Sequence, residues 1–427
     1  MTDCVMTDWA MTDPAAAFAE IAAHRARCFW LDGGGARGWS GRRSMIGWLD
    51  DADVSLTYDA AAREVRRHAG AESEVVGDDV FEVLEAEIAA GDPHDHWVGY
   101  LGYACRPDLP ATVAPPGAPR APDAVWMRPR ELRFVEHGPE AAASPVPSPP
   151  GRHPAAVPDG YAAAYAEVQE QLLAGNSYEV NLTYREHLHS DLDPLTAYLA
   201  LRELNPAPYA GFLQHDLPGH RVWLLSSSPE RYAVVGADRT LETKPIKGTT
   251  PRGGTPDEDD RMRERLYREA KFRAENLMIV DLLRNDLSLV CEPGSVTVPS
   301  LMAVESYPAV HQLVSTVRGR LRPGVSTVRA LRELFPAGSM TGAPKLRTME
   351  IIARVEDGPR GVYSGAFGWI GADGRADLGV VIRSLVTTGD GRYTLGTGGG
   401  ITVQSDVGEE YAEARLKAER LLRVFDP

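Results

Sequence analysis

Two textures of apolar and polar positions alternate along the chain. Before residue 140, short apolar runs read as strands: Phe29-Trp30-Leu31, Met45-Ile46-Gly47-Trp48-Leu49 and Val98-Gly99-Tyr100-Leu101-Gly102-Tyr103. Among them, Asp79 to Ala90 sets Val80, Val83, Leu84 and Ile88 near helical spacing and predicts a helix. Beyond residue 160 the helical stretches lengthen. Asp159 is a candidate cap for a helix from Tyr161 to about Ala174, stopped by Gly175. Residues 257–288 predict the longest helix, with an acidic first turn suited to the positive end of the helix dipole. Its charged first half reads as exposed and its LMIVDLL segment as buried. A third long helix is expected from about Val407 to Val424, and strands at 177–185, 221–225, 310–318, 365–370, 378–385 and 393–395. The stretch Leu241–Thr250, LETKPIKGTT, follows a turn at 236–240. Pro245 has no N–H to donate, so the strand should end or lie at an edge there, leaving Lys247 on a short loop.

Six prolines between Ala141 and Gly160 mark a connection. The chain therefore divides into residues 1–140, a proline-rich linker at 141–160, and residues 161–427. The two flanking parts are expected to form one intertwined fold. Short mixed strands with few regular strand–helix–strand spacings predict an α+β fold, a mixed-strand sandwich core flanked by helices, and not a doubly wound sheet. The 427 residues suffice for a sizeable core, and 43% hydrophobic with 25% charged residues is the balance of a soluble globular protein. A net charge of −15 argues against nucleic-acid binding and a polybasic membrane patch. A local cluster of cations still permits a small anionic ligand. The four cysteines form no CxxC pair, so free thiols in a reducing cytoplasm are expected and a structural zinc site is not. No apolar run approaches the roughly 20 residues that span a bilayer, and the acidic start has no signal-peptide core.

Candidate chemistry begins with carboxylates. Glu410, Glu413 and Lys417 fall on one face of the last helix, and Glu275 sits where the long middle helix turns from charged to apolar. Oxygen ligands from two helices suit Mg²⁺ better than zinc, although such spacing alone is that of ordinary surface ion pairs. Gly33, Gly35 and Gly38 formally match a dinucleotide fingerprint, but the residues that follow are strand-like where the motif needs a helix, so a glycine-rich hairpin is expected. Gly338–Lys345 misses the phosphate-loop pattern because Ala343 and Pro344 precede the lysine. Gly396–Gly400 likewise misses the dinucleotide pattern, yet both loops could turn backbone N–H groups toward a carboxylate. No GxSxG elbow, HExxH helix or glutaminase GxCxG nucleophile is present.

Taken in order, SYEVNLTYR (177–185), SSSPERY (226–232), ETKPIKGT (242–249), AENLMIVDLLRND (274–286), YPAVHQLVSTV (307–317), FPAGSMTGAPK (335–345), RGVYSGAFGWI (360–370), VVIRS (380–384), GTGGGI (396–401) and EEYAEARLKAE (409–419) resemble the chorismate-binding family. The N-terminal third resembles it only through FWLD and WVGYLGY. A lysine before the final Gly-Thr of PIKGT resembles the members that make 4-amino-4-deoxychorismate for p-aminobenzoate and folate, or for a specialised metabolite derived from p-aminobenzoate. Anthranilate-forming members carry alanine there.

The resemblance implies a division of labour. Glu230 matches the general acid for the C4 oxygen, which needs a carboxyl of raised pKa. Lys247 would attack ring C2 as the C4 hydroxyl leaves, and ammonia would then add at C4 and expel it. That demands an amine pulled below its usual pKa of about 10.4. Glu275 and Glu413 would hold Mg²⁺ against the ring carboxylate, with Glu410 behind them. Lys417 and the amides of Gly398, Gly399 and Gly400 would neutralise the same carboxylate. Tyr363 and Arg383 match enolpyruvyl-binding positions, and Thr249 and His311 ring-side polar positions. Lys244 reads as an exposed partner of a neighbouring carboxylate. Many members have glutamine where this chain has Glu179, whose contribution is open. Where relatives line a tryptophan pocket with LDS or LES, this chain reads Leu31-Asp32-Gly33, which removes the serine hydroxyl and argues against regulatory tryptophan. With no glutaminase motif, ammonia is expected from a separate glutamine amidotransferase subunit. The alternatives are an anthranilate or 2-amino-2-deoxyisochorismate synthase, and a non-catalytic chorismate-binding paralogue.

Overall fold

The computed structural model describes residues 5–8, 13–35, 40, 43–115, 117–118, 120–138, 156–307 and 310–426. Two large sheets form the frame, one of 10 strands and one of 12. Their neighbours run antiparallel, except that Val5–Asp8 lies parallel to Glu131–Glu136. Strands from both ends of the chain share each sheet. Arg27–Asp32 pairs with Tyr209–His215 in one, and His96–Leu101 with Ala366–Gly371 in the other. Most of the 141–160 connection lies outside the described residues, and its last two positions already belong to the helix Asp159–Leu173.

Which faces carry apolar side chains decides the layering. Phe29, Met45, Leu213 and Leu224 of the 10-stranded sheet meet Val98, Tyr100, Val125 and Phe367 of the other in a cluster between the sheets. The outer face of the 12-stranded sheet is covered by the helices Val80–Ala90, Ala270–Ser288 and Thr327–Leu334, through Leu84, Ile279, Leu283 and Leu331. The opposite outer face carries Pro14–His24, Pro194–Leu204 and Val407–Leu422, through Phe18, Tyr198 and Ala418. With both of its faces covered, Arg27–Asp32 is buried at every position but Leu31 and loses the alternation of a half-exposed strand. The result is the expected α+β sandwich flanked by helices. Among the described residues no helix is long and apolar enough to cross a membrane. Cys28, Cys105 and Cys291 are buried free thiols.

Two segments depart from the predicted elements in ways that matter. The helix expected over 257–288 is two helices, Pro256–Arg268 and Ala270–Ser288, because Glu269 is extended (φ −65, ψ 125). No glycine or proline marks that break. The strand expected over 378–385 is also two, Ala376–Val380 in the 12-stranded sheet and Ser384–Thr387 in the other. Next to it, Val222–Ser228 and Arg231–Val235 make the reverse passage between the same sheets. The crossings are bonded to each other: Ser227 N–H donates to the Arg383 carbonyl (3.1 Å) and Val380 N–H to the Glu230 carbonyl (2.9 Å). Where both chains leave one sheet for the other, their side chains have no sheet partner to pack on and point into a cleft.

Candidate active site

Glu230 and Arg383 stand at these paired crossings. Glu230 is buried and its Oε1 accepts from Ser339 Oγ at 2.6 Å. Burial pushes its carboxyl up to about 7, against the opposing pull of Ser339 and Lys247, so a proton is available near neutrality. Arg383 holds a left-handed backbone (φ +51). Burial, with repulsion from Arg420, pulls its guanidinium down to about 10, and it stays charged at neutral pH. Among the described residues its side chain has no ion pair or hydrogen bond, which leaves a two-pronged donor for an incoming carboxylate.

Lys247 reaches the same cleft from a kinked strand. Thr240–Lys244 and Ile246–Pro251 lie end to end along Val310–Arg320. Pro245 sits at the kink between them, its carbonyl accepting from Ser315 N–H at 3.2 Å. Lys247 is thus on a strand and not on a loop. The register slips between Ile246 and Thr249, and Gly248 at φ +92 makes the bulge that turns the lysine inward. Its ammonium is buried and paired with the carboxylate of Glu179, on the strand Glu179–His189. The expected depression of its pKa is not what the surroundings produce. Burial does pull it down, but Glu179, Glu275 and Glu230 together outweigh burial and hold it above the ordinary lysine value. Lys244 is buried too, contrary to expectation, and pairs with Glu305 at 2.6 Å.

Across from Lys247, the break at Glu269 re-aims the following helix so that Lys271 and Glu275 face the cleft. Burial pushes Glu275 up to about 7, and its Oε1 is a buried oxygen with no partner. From the last helix, Glu410 accepts from Lys271 Nζ (2.8 Å) and Ser405 Oγ (2.6 Å). Lys417 pairs with Glu413 at 2.8 Å, holding that carboxyl below its usual range, and donates to the Gly398 carbonyl at 3.0 Å. Among the described residues no three His, Cys, Asp or Glu side chains stand close enough to hold a metal by themselves. Two all-oxygen carboxylates, one with an orphaned buried oxygen, fit a hard cation that keeps water and substrate oxygens as its remaining ligands, as Mg²⁺ does.

The glycines are required by close approach. A Cβ on Gly400 would lie 2.1 Å from Glu179 Oε1 and 3.0 Å from Lys247 Nζ, and one on Gly396 would strike the Tyr363 ring at 2.2 Å. Gly398 and Gly400 pair with Thr183 and Asn181. Those two residues send their N–H groups away from the glycine strand, to Glu356 Oε1 and the Thr341 carbonyl. Their partners Gly398 and Gly400 therefore turn their amides to the open edge where Lys417 sits, and Gly399 turns its amide into the ladder. Two of the three glycine amides are left for an anion.

One cleft gathers Glu230, Lys247, Thr249, Glu275, Tyr363, Arg383, Gly398, Gly399, Gly400, Glu410, Glu413 and Lys417. His311 is not among them. Side chains alternate along Val310–Arg320, and His311 faces the other way, bonded to Asp259 (3.0 Å) and Ser306 (2.8 Å). Its neighbour Gln312 lines the cleft instead, with a buried Oε1 lacking a partner. Ser339 and Asn181 line the cleft as well. Gln312 was reachable by strand parity from Thr249, with which it is paired; nothing local marked Ser339.

A buried acid, a buried lysine and a guanidinium without a partner among the described residues thus share one carboxylate-lined cleft. The chain belongs to the chorismate binding enzyme family, whose pattern it matches over residues 26–423. It is 41% identical over 97% of its length to an aminodeoxychorismate synthase of Streptomyces pristinaespiralis, and spans 64% of that relative. An anthranilate synthase component 1 of Haloarcula marismortui is 44% identical over 63% of this chain and 54% of its own. The fold is that of anthranilate synthase component I from Streptococcus pneumoniae, with a TM-score of 0.73 at 23% identity, covering 89% of this chain and 92% of that one.

Proposed function

We propose that the protein aminates chorismate with ammonia to 4-amino-4-deoxychorismate through a covalent intermediate on Lys247. The observation that carries this reading is Lys247 itself, a buried amine in the cleft that also holds the raised carboxyl of Glu230. Arg383 and Tyr363 would hold the enolpyruvyl carboxylate. Lys417 and the Gly398 and Gly400 amides would hold the ring carboxylate. Glu230 would give its proton to the C4 oxygen as Lys247 Nζ bonds to C2, and the hydroxyl leaves as water. Ammonia then bonds to C4, and the C2–Nζ bond breaks with its electron pair returning to nitrogen. Two allylic displacements place nitrogen at C4, whereas a single attack by ammonia at C2 gives the 2-amino isomer. Glu275 and Glu413, supported by Glu410, would hold Mg²⁺, which supplies positive charge against the ring carboxylate.

Support comes from the name and length of match of the Streptomyces relative. The Haloarcula relative favours the second reading, an anthranilate synthase component. That relative is one component of its synthase, which also supports a separate ammonia-supplying glutamine amidotransferase for this chain. Incubation with chorismate, Mg²⁺ and ammonium, followed by chromatography of the amino isomer, decides between them: an ortho-amino product overturns the proposal. Intact-mass analysis without ammonia should show an adduct that Lys247→Ala abolishes.

A further inference from the structure

Lys247 has a nearer partner than the general acid. Its Nζ is bonded to Glu179 Oε1, and the other oxygen of that carboxylate, Oε2, is buried with no hydrogen-bond partner. Glu179 is 1% exposed. Its position is fixed on two sides: Glu179 pairs with Ala343 of the Gly342–Ala343 strand, and the bare Cα of Gly400 lies against Oε1. A carboxylate so enclosed, with one oxygen on the reacting nitrogen and the other unused, has no structural partner but the lysine.

We infer that Glu179 is the positioning residue of Lys247 and the acceptor of its proton, so that one carboxyl serves each end of the first displacement. This rests on the Lys247 mechanism proposed above. The ammonium passes one proton to Glu179, and the free amine bonds to C2. As the C4–O bond breaks, Glu230 protonates the departing oxygen, giving water and leaving a secondary ammonium on the ring. When ammonia bonds to C4, the C2–Nζ bond breaks toward nitrogen and Glu179 returns its proton to the amine. The new C4 ammonium restores the proton of Glu230. Atoms and charges balance, both carboxyls end as they began, and no further reactant is needed. Glu179 on its strand and Glu230 at the sheet crossing are joined around Nζ by other charged groups. Lys271 and Glu275 face it from the middle helix, and Glu410, Glu413 and Lys417 from the last helix. None of these except Glu179 is within hydrogen-bond reach of Nζ among the described residues.

The test is the rate of covalent adduct formation on the full chain, read by intact mass with chorismate and Mg²⁺ but no ammonia, between pH 6 and 9. Glu179→Gln keeps the shape and loses the acceptor, so its lysine must shed a proton to solvent before substrate binds. The variant should form adduct about 100-fold more slowly at the acid end of that range, and the ratio of wild-type to variant rate should shrink as pH rises toward the variant lysine's own pKa, which the loss of Glu179 lowers. A purely structural role gives a ratio that does not change with pH, and that result, or equal rates, overturns the inference. Should Glu179→Gln not fold, Glu179→Asp retains an acceptor drawn back by one methylene. It should be slower with the wild-type pH dependence, and an Asp variant at the full wild-type rate is equally fatal. If wild-type protein forms no adduct on Lys247, the underlying mechanism fails instead, and the two failures are told apart by that control.

Discussion

Ser339→Ala isolates what the serine does for Glu230. The hydroxyl donates one 2.6 Å bond to Glu230 Oε1 and has no other partner among the described residues. That bond favours the ionised carboxylate, so its loss raises a carboxyl that already sits at about 7. A hydrogen bond to a charged group contributes about 1.5–3 kcal/mol, and a pKa unit is 1.36 kcal/mol, so the shift should be roughly one to two units. The general acid works when protonated, so the rate falls as pH rises through its pKa. Removing Ser339 should therefore move the falling limb of the kcat profile to higher pH by roughly one to two units. The plateau rate should also drop by about tenfold, because a weaker acid is a poorer proton donor and a less constrained one. The assay is steady-state formation of the amino product between pH 5.5 and 9.5 at saturating chorismate, Mg²⁺ and ammonium, with Ser339→Thr as the control that restores the donor. A limb that stays in place, or moves down, refutes the assignment of Glu230 as acid or of Ser339 as its donor.

Other substitutions test other parts of the molecule. Gly400→Ala would press a methyl into Glu179 and Lys247; turnover should fall at least 100-fold while thermal stability changes little, and a fully active variant would contradict the close packing. Arg360 is buried and bonds Glu356 (2.7 Å) and the carbonyls of Asn181 (2.8 Å) and Met340 (2.6 Å). Arg360→Met should destabilise the fold by about 2–4 kcal/mol in urea titration, because the two buried carbonyls lose their donor and Glu356 keeps only Arg185 (3.0 Å) as a countercharge. Buried His215 and His68 are pulled down to about 3 and about 4 by desolvation. With folded-state values below the unfolded one of about 6.5, their stabilisation is complete above that pH and is lost as pH falls toward 4, at about 1.4 kcal/mol per unit for each. The urea midpoint should thus drop between pH 6.5 and 4.5, less steeply in His68→Gln; a midpoint independent of pH would show that these histidines protonate without penalty.

The elements that were legible in the sequence are those whose pattern is local. The helix expected over Asp79–Ala90 is present, with Asp79 as its cap accepting from Phe81 and Glu82 N–H, and the last helix carries Glu410, Glu413 and Lys417 into one cleft as its spacing implied. Asp159, expected as a cap, is instead the first residue of its helix after Pro158, and no side chain caps that end. What the pattern missed was decided by pairing far along the chain. Pro245 reads as a strand end because it lacks an N–H. With Val310–Arg320 alongside both flanking segments, the missing donor becomes a kink and Lys247 stays in the sheet. His311 and Gln312 are both polar and adjacent, and only the strand's facing decides which of them meets the cleft.

The same reasoning explains why the chemistry sits where secondary structure was hardest to read. Residues 378–385 look like one apolar strand, and a continuous strand would have buried Arg383 in a sheet face with no partner for its charge. The chain instead leaves one sheet after Val380 and enters the other at Ser384, and the left-handed turn at Arg383 releases the guanidinium into the cleft. Pro229-Glu230 makes the matching passage, since proline can end the ladder where Glu230 must turn away from it. Each crossing leaves backbone groups without a sheet partner, and each supplies one to the other: the Arg383 carbonyl takes Ser227 N–H and the Glu230 carbonyl takes Val380 N–H. The backbone segments that carry Glu230 and Arg383 are thereby tied to each other, and both side chains line the one cleft. An acid and an anion-binding arginine held in this way keep their spacing when substrate is absent, which is the preorganisation that general-acid catalysis on a small anion needs.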